Sequence, residues 1–228
     1  MLIGRKNEYR QMMNLIKQKR NIYIFGKEGA GKTFLLKTVL KDLRPNDYFY
    51  SQDSSCLRRA LQDFLQPAFD EKFIASQNIL GLRKLIYQLS KSGGKYFIFD
   101  HVEKSSSRLF SLTEWLCEHV PIIMVGRGPY YKDIGTMSYF LWNFSKIELV
   151  NLSRLHADEL IDFFINEYKL NIPDQEIFKE EVFQRSQGNP GIIEEICRYV
   201  KNGHYSTSDG AINFELISLD RKISDIKL

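Results

Sequence analysis

Short runs of consecutive apolar residues alternate with longer amphipathic segments through the first 150 residues of the chain. Between the runs, apolar residues recur every three or four positions, which is the period of a helix with one buried face. An apolar run without alternation is typical of a strand that is buried on both faces of a parallel sheet. The runs that predict strands are residues 21–25, 48–50, 95–99 and 121–125, and the alternating segment 146–150 predicts a fifth strand.

Strands that alternate with helices in this way predict an α/β fold with a doubly wound parallel sheet, in which residues 146–150 form an edge-like strand. Residues 152–203 differ, because helical periodicity continues there without a strand pattern. The sequence therefore predicts a core over residues 1–151 and a small C-terminal helical lid over residues 152–203. For the tail, residues 204–228, the pattern predicts a hairpin or a docked edge strand.

Residues 26–33 read GKEGAGKT and match the phosphate-binding loop (P-loop) pattern G-x-x-x-x-G-K-[ST]. The motif follows a predicted strand and opens a predicted helix, so loop N–H groups and the positive end of the helix form an anion site. We expect Lys32 to reach the β- and γ-phosphates and Thr33 to ligate Mg²⁺. The sequence thus predicts ATP and Mg²⁺ as cofactors, in a P-loop NTPase core. The predicted nucleotide contacts from this segment are Gly26, Lys27, Glu28, Gly29, Ala30, Gly31, Lys32, Thr33 and Phe34.

Two further positions at predicted strand ends carry candidate chemistry. Asp100 ends the apolar run 95–99, where P-loop NTPases place a second carboxylate that organises Mg²⁺. Many such ATPases have an acidic residue directly after it, but here His101 follows, so Glu103 is the candidate base and His101 an alternative that orients water. Arg127 follows the run 121–125, and its guanidinium can stabilise charge on a transferred phosphoryl group.

Composition narrows the class of protein without naming a function. The chain has 228 residues, of which 43% are apolar, and a net charge of +4, which permits nucleic-acid contact without requiring it. No apolar run approaches the roughly 20 residues of a membrane span, and the N-terminus does not resemble a signal peptide. The spacing of Cys56, Cys117 and Cys197 does not suit a metal site, so we expect core thiols and a cytoplasmic location.

Several short motifs together resemble those of STAND-type and origin-recognition-like AAA+ ATPases. Residues 2–8 resemble the h-h-G-R-x-x-E box of that group, and the other motifs follow in the order that the group uses over residues 2–200. The resemblance implies that Ile3 and Gly4 lie beside adenine and that Pro190 lies over the nucleotide from the lid. The later motifs are the P-loop, Asp100, Arg127, Leu152-Ser153 and Gly188-Asn189-Pro190.

The sequence leaves several functions open. The first is a slowly hydrolysing ATPase that acts as a nucleotide-dependent switch or assembly factor, with a homo-oligomer, a partner protein or duplex DNA as its partner. A non-hydrolysing nucleotide-bound scaffold is the alternative, and a small-molecule kinase is a weaker one. A GTPase is disfavoured because the chain lacks an Asn-Lys-x-Asp motif. The cations that could contact DNA phosphates are Lys17, Lys19, Arg20, Arg58, Arg59, Lys91 and Lys95.

Overall fold

Five parallel strands form one sheet at the centre of the first part of the chain. The structure, a computed structural model, describes residues 2–91, 93–103, 107–202, 205 and 212–226. The strand order is β2-β3-β4-β1-β5, and every neighbouring pair is parallel, as the sequence predicts. The edge position of the fifth strand is also confirmed. The strands are β1 (Ile22–Gly26), β2 (Tyr48–Ser51), β3 (Tyr96–Val102), β4 (Ile122–Gly126) and β5 (Ser145–Leu149).

Helices cover both faces of the central strands β1, β3 and β4, which explains why these strands are apolar at successive positions. Tyr23, Phe97 and Phe99 belong to one apolar cluster, whereas the alternating residues Ile24 and Ile98, which face the other way, are also fully buried. Each such side chain stabilises the fold by roughly 1.5–3 kcal/mol. The helices are α1 (Lys6–Lys17), α2 (Lys32–Asp42), α3 (Leu57–Leu65), α4 (Glu71–Ser76), α5 (Ile79–Ser90), α6 (Ser107–His119) and α7 (Tyr131–Ile134), with 3-10 turns at Pro45–Asp47, Gly135–Tyr139 and Leu141–Asn143.

A β-bulge interrupts β3 near its carboxyl end. Phe99 pairs with Met124, but the next recorded pair is Val102 with Gly126, so β3 carries one extra residue between these pairs. Within the bulge, His101 has a left-handed φ of +53°, which is uncommon for a residue with a side chain. Asp100 is fully buried, whereas the imidazole of His101 is exposed and its Nδ1 lies 3.5 Å from Asp100 Oδ1.

The chain divides into two compact units. One contains the sheet and comprises Arg5–Glu28 and Lys32–Leu149. The other, here called the helical unit, comprises Val150–Leu228 together with Met1–Gly4 and Gly29–Gly31. Its core is built from one face of each of its helices and includes Ile161, Phe178, Ile193 and Ile217. The helices of this unit are α8 (Arg154–Tyr168), α9 (Gln175–Ser186), α10 (Pro190–Lys201) and α11 (Phe214–Ile226).

The predicted hairpin or edge strand in the tail is wrong for residues 214–226, which form α11. The Asn213 side chain accepts a hydrogen bond from the Leu216 backbone N–H and so begins the helix. Phe214 and Ile217, three positions apart, then turn to the same core, where the Phe214 ring lies 5.7 Å from the Phe178 ring. Residues 206–211, which include the predicted turn at 208–210, lie outside the described residues.

The three cysteines do not share one environment, contrary to the expectation of core thiols. Cys197 is fully buried, Cys117 is partly buried and Cys56 is exposed. Cys56 precedes the first residue of α3 in an extended conformation. Within the described parts of the chain, no helix is long and apolar enough to cross a membrane.

Candidate nucleotide-binding site

The P-loop lies between β1, which ends at Gly26, and α2, which begins at Lys32. The Lys32 ammonium donates hydrogen bonds to the carbonyl oxygens of Gly26 and Lys27, each at 2.8 Å. Burial lowers the pKa of Lys32, and the carboxylates of Glu28 and Asp100 oppose this shift. The lysine therefore lies folded over its own loop, with its charge beside the start of the helix.

Asp100 is held by three hydrogen-bond donors in the sheet unit. The Thr33 hydroxyl donates to Oδ1 at 3.3 Å, the His101 backbone N–H donates to Oδ1 at 2.9 Å, and the Tyr50 hydroxyl donates to Oδ2 at 3.1 Å. Burial and the negative charge of Asp100 both raise the pKa of Tyr50, so the phenol remains a donor. The structure thus brings together Thr33 and Asp100, the two residues predicted to bind the metal ion, although they are far apart in the sequence.

Arg127 lies beside two carboxylates. Its Nη2 is 3.2 Å from Glu28 Oε2 in the P-loop and 3.9 Å from Glu103 Oε1. All three side chains are more than half exposed, so the guanidinium can exchange partners at little cost. The His101 Nδ1 lies 3.0 Å from the carbonyl oxygen of Gln52 and 3.5 Å from Asp100 Oδ1.

Of the remaining predicted nucleotide contacts, Phe34 belongs to the sheet unit and the others belong to the helical unit, namely Ile3, Gly4, Gly29, Ala30, Gly31 and Pro190. Gly4 has a φ of +64°, and a Cβ on it would lie 2.7 Å from Leu152 Cδ2, so Gly4 packs closely on Leu152 within the helical unit. Pro190 is the first residue of α10, and its predecessor Asn189 caps the helix. Gly29 O accepts a hydrogen bond from Gly191 N at 2.9 Å. Of the other P-loop residues, Ala30 is buried, whereas Phe34 is 54% exposed.

Two residues that contact predicted site residues were not themselves predicted from the sequence, one in each compact unit. Tyr50 sits in an aromatic strand, and no motif marks its hydroxyl as a partner of Asp100; only its place at the carboxyl end of β2, next to β3, could have suggested it. Asn189 is the variable position of the Gly-x-Pro motif. Its preference for helix N-termini could have indicated the cap but not the neighbouring P-loop.

No protein-family model and no curated protein matches the sequence. Solved structures do match. The Aeropyrum pernix Orc1 protein in complex with DNA aligns with a TM-score of 0.67 and 13% identity, over 89% of this chain and 60% of that one. A Walker-type ATPase of Pyrococcus abyssi aligns with a TM-score of 0.62 and 13% identity, over 99% and 76%. The chain has the P-loop NTPase fold of these structures.

A third structure, the replication initiator DnaA bound to AMPPCP and single-stranded DNA, has the same fold. It aligns with a TM-score of 0.61 and 17% identity, over 99% of this chain and 66% of that one. This chain thus spans less than two thirds of the Orc1 and DnaA chains. The resemblance seen in the sequence motifs is confirmed for the fold. At identities of 13–17%, the likeness does not extend to activity or partners.

Proposed function

We propose that this chain binds Mg-ATP at residues 26–33 and hydrolyses it slowly, acting as a nucleotide-dependent switch or assembly factor. The observation that carries the proposal is the complete P-loop placed between a buried parallel strand and a helix, with Thr33 3.3 Å from Asp100. A triphosphate on the loop would accept hydrogen bonds from its backbone N–H groups, and Lys32 would leave the loop carbonyls to pair with the phosphates.

The donor set fits Mg²⁺. A hydroxyl and a carboxylate oxygen lie within hydrogen-bond distance of each other, and Mg²⁺ prefers oxygen ligands and a small number of protein groups. Thr33 and Asp100 would hold the ion. When bound, it would neutralise charge on the phosphate oxygens.

The protein's own residues would then act on the phosphoryl group and the attacking water. Arg127, exchanging Glu28 for the γ-phosphate, would stabilise the charge that develops there. Glu103 would accept the proton of water. Its carboxylate is 59% exposed and three residues beyond Asp100, so water would compete for it, and we therefore propose slow turnover.

We propose different roles for the two predicted domains. We propose that residues 152–203 act as a lid, with Pro190 over the nucleotide and with Ile3 and Gly4 beside the base. Gly4 and Leu152 lie in contact, so the segment proposed to lie beside the base and the start of the proposed lid belong to one compact unit. The lid's response to ATP would create or remove a surface for a second copy of the chain or for a partner protein.

Duplex DNA is a further proposed partner. Of the seven candidate cations, Arg59 pairs with Asp53, Arg58 donates to backbone carbonyls, and Lys95 lies over the Phe49 ring. The others, Lys17, Lys19, Arg20 and Lys91, are exposed. Tyr96 OH donates to the carbonyl oxygens of Ile16 and Arg20, which places the end of α1 at the amino end of β3. A basic edge at this end of the sheet would bind phosphates with a steep dependence on salt.

A non-hydrolysing scaffold is the second candidate, and His101 favours it. The residue after Asp100 is not acidic, its imidazole is directed to Gln52 O, and Arg127 pairs with the nearest carboxylates. In this reading ATP would bind as tightly but would remain intact.

The test is binding and hydrolysis of Mg-ATP by wild type, Lys32→Ala and Lys37→Ala. Lys37 is an exposed lysine on the same helix and serves as the matched control. We expect the wild type and Lys37→Ala to bind ATP and to release ADP and phosphate in equal amounts, and Lys32→Ala to lose both activities. Binding without turnover would favour the scaffold, whereas ATP binding by Lys32→Ala equal to wild type would refute the site.

Measuring ATP turnover with and without duplex DNA, at low and moderate salt, tests whether DNA is the partner. Stimulation of turnover that fades as salt rises supports DNA, and stimulation should weaken when the exposed cations at the end of α1 are replaced by Gln. Turnover that is indifferent to DNA would refute DNA as the partner and leave a protein or a second copy of the chain.

A further inference from the structure

The backbone at the start of α10 lies unusually close to the P-loop. Gly191 N donates to Gly29 O at 2.9 Å, and a Cβ added to Gly191 would lie 2.8 Å from Gly29 Cα. Real Cβ atoms do not approach a backbone atom so closely. Gly29 has a φ of +73°, so this residue of the loop also needs the freedom of glycine. Two glycines, distant in sequence, therefore allow one contact between backbones.

Asn189 adds a second contact at the same place. Its Oδ1 caps α10 by accepting from Gly191 N at 3.0 Å and from Ile192 N at 3.2 Å. The same oxygen would lie 2.3 Å from a Cβ built on Gly29, so the carboxamide rests directly on the Gly29 Cα. The side chain is buried. Asn189 thus makes a helix cap, which many residues could make, and a contact with the loop, which depends on its shape and on its lack of charge.

We propose that Asn189 and Gly191 are positioning residues that hold the Gly29 peptide of the P-loop in the conformation that binds phosphate. The inference rests on the proposed nucleotide binding. It goes beyond that proposal because it states that Asn189 and Gly191, which contact the loop from α10, increase the affinity of the loop for ATP. The cap alone would stabilise α10 without affecting nucleotide binding.

The two roles of Asn189 separate by substitution. Ser and Asp are as good as Asn at the N-cap of a helix, so Asn189→Ser and Asn189→Asp keep α10 capped. Ser is too short to cover Gly29, and Asp places a negative charge on the loop that receives the phosphates. Asn78 provides a matched control, because it caps α5 by accepting from Gly81 N at 2.8 Å, in a helix of the sheet unit.

The experiment measures the Kd for Mg-ATP and the hydrogen–deuterium exchange of residues 26–33 in nucleotide-free protein, alongside Tm. We expect Asn189→Ser to raise the Kd about tenfold and to speed exchange in the loop, with Tm unchanged. Asn189→Asp should raise the Kd further. Asn78→Ser and Asn78→Asp should leave both readouts at the wild-type value. Gly191→Ala, which forces the two backbones apart, should match or exceed Asn189→Ser in both.

Outcomes for this inference and for the proposed function are distinguishable. Failure of the wild type itself to bind Mg-ATP would refute the proposed function, and the inference with it. Wild-type binding with an Asn189→Asp Kd within twofold of wild type would overturn the inference alone. A loss of affinity in the Asn78 variants equal to that in the Asn189 variants would also overturn it, since the effect would then belong to helix capping.

Discussion

Replacement of Tyr50 by Phe tests whether the buried Asp100 carboxylate depends on its donors. The substitution keeps the ring and removes only the hydroxyl that donates to Asp100 Oδ2 at 3.1 Å. A hydrogen bond to a charged group contributes about 1.5–3 kcal/mol. Asp100 is fully buried but keeps Thr33 and His101 as donors. We therefore expect Tyr50→Phe to lower the free energy of unfolding by about 2 kcal/mol, towards the lower end of that range.

The assay is urea unfolding at pH 7 without nucleotide, followed by tryptophan fluorescence. The chain has two tryptophans, Trp115 and Trp142, and both lie in the sheet unit, so their signal reports the unit that contains Asp100. Tyr48→Phe is the control, because Tyr48 lies on the same strand and is not one of the three donors to the Asp100 carboxylate. If Tyr50→Phe and Tyr48→Phe unfold with free energies within 0.5 kcal/mol of each other, on the order of ordinary surface changes, the reasoning fails.

Three further outcomes follow from described contacts. Ile217→Ala should lower the free energy of unfolding by about 2–5 kcal/mol because Ile217 is fully buried; a loss below 1 kcal/mol by circular dichroism would contradict the packing of α11. Arg127→Gln should change stability by less than about 0.5 kcal/mol, since its ion pairs are exposed, yet lower kcat about a hundredfold if the proposed role is correct; equal kcat would refute that role. The Ser55 hydroxyl and backbone N–H, with Arg59, lower the pKa of Asp53 to about 2, below the unfolded value near 4. Ionised Asp53 therefore stabilises the fold above pH 4, and this contribution is lost as pH falls towards 2. The urea midpoints of wild type and Asp53→Asn should converge over that interval, and a constant difference would count against the shift.

The sequence predicts the sheet well because burial on both faces leaves a direct pattern. Ile22 to Phe25 and Tyr96 to Phe99 are continuous apolar runs, and each forms a strand. It does not predict the bulge at His101, which depends on pairing between β3 and β4 rather than on local preference. The prediction of a strand in the tail is wrong because the short segment 211–217 suits a strand or a helix equally. Burial of Phe214 and Ile217 in the same core as Phe178 favours the helix.

The site also has a part that local sequence predicts and a part that depends on contacts between distant residues. Residues of the P-loop are contiguous, so their spacing alone predicts their chemistry, and Asp100 is indicated by its place at a strand end. Contacts between residues distant in sequence leave no such pattern. Neither the donation from Tyr50 to Asp100 nor the contact of Asn189 with Gly29 could be found before strand order and helix packing were known.

The membership of Gly29–Gly31 in the helical unit has a consequence for synthesis. Their partners at Asn189 and Gly191 are translated about 160 residues later, a lag of roughly 8–30 s at 5–20 residues per second. The sheet unit is complete in sequence at Leu149, 40 residues before Asn189, so about 2–8 s of this lag remain in which it can fold. The emerging chain would then carry a glycine-rich loop without its α10 contacts, and we expect tight ATP binding to begin only once α10 has left the ribosome.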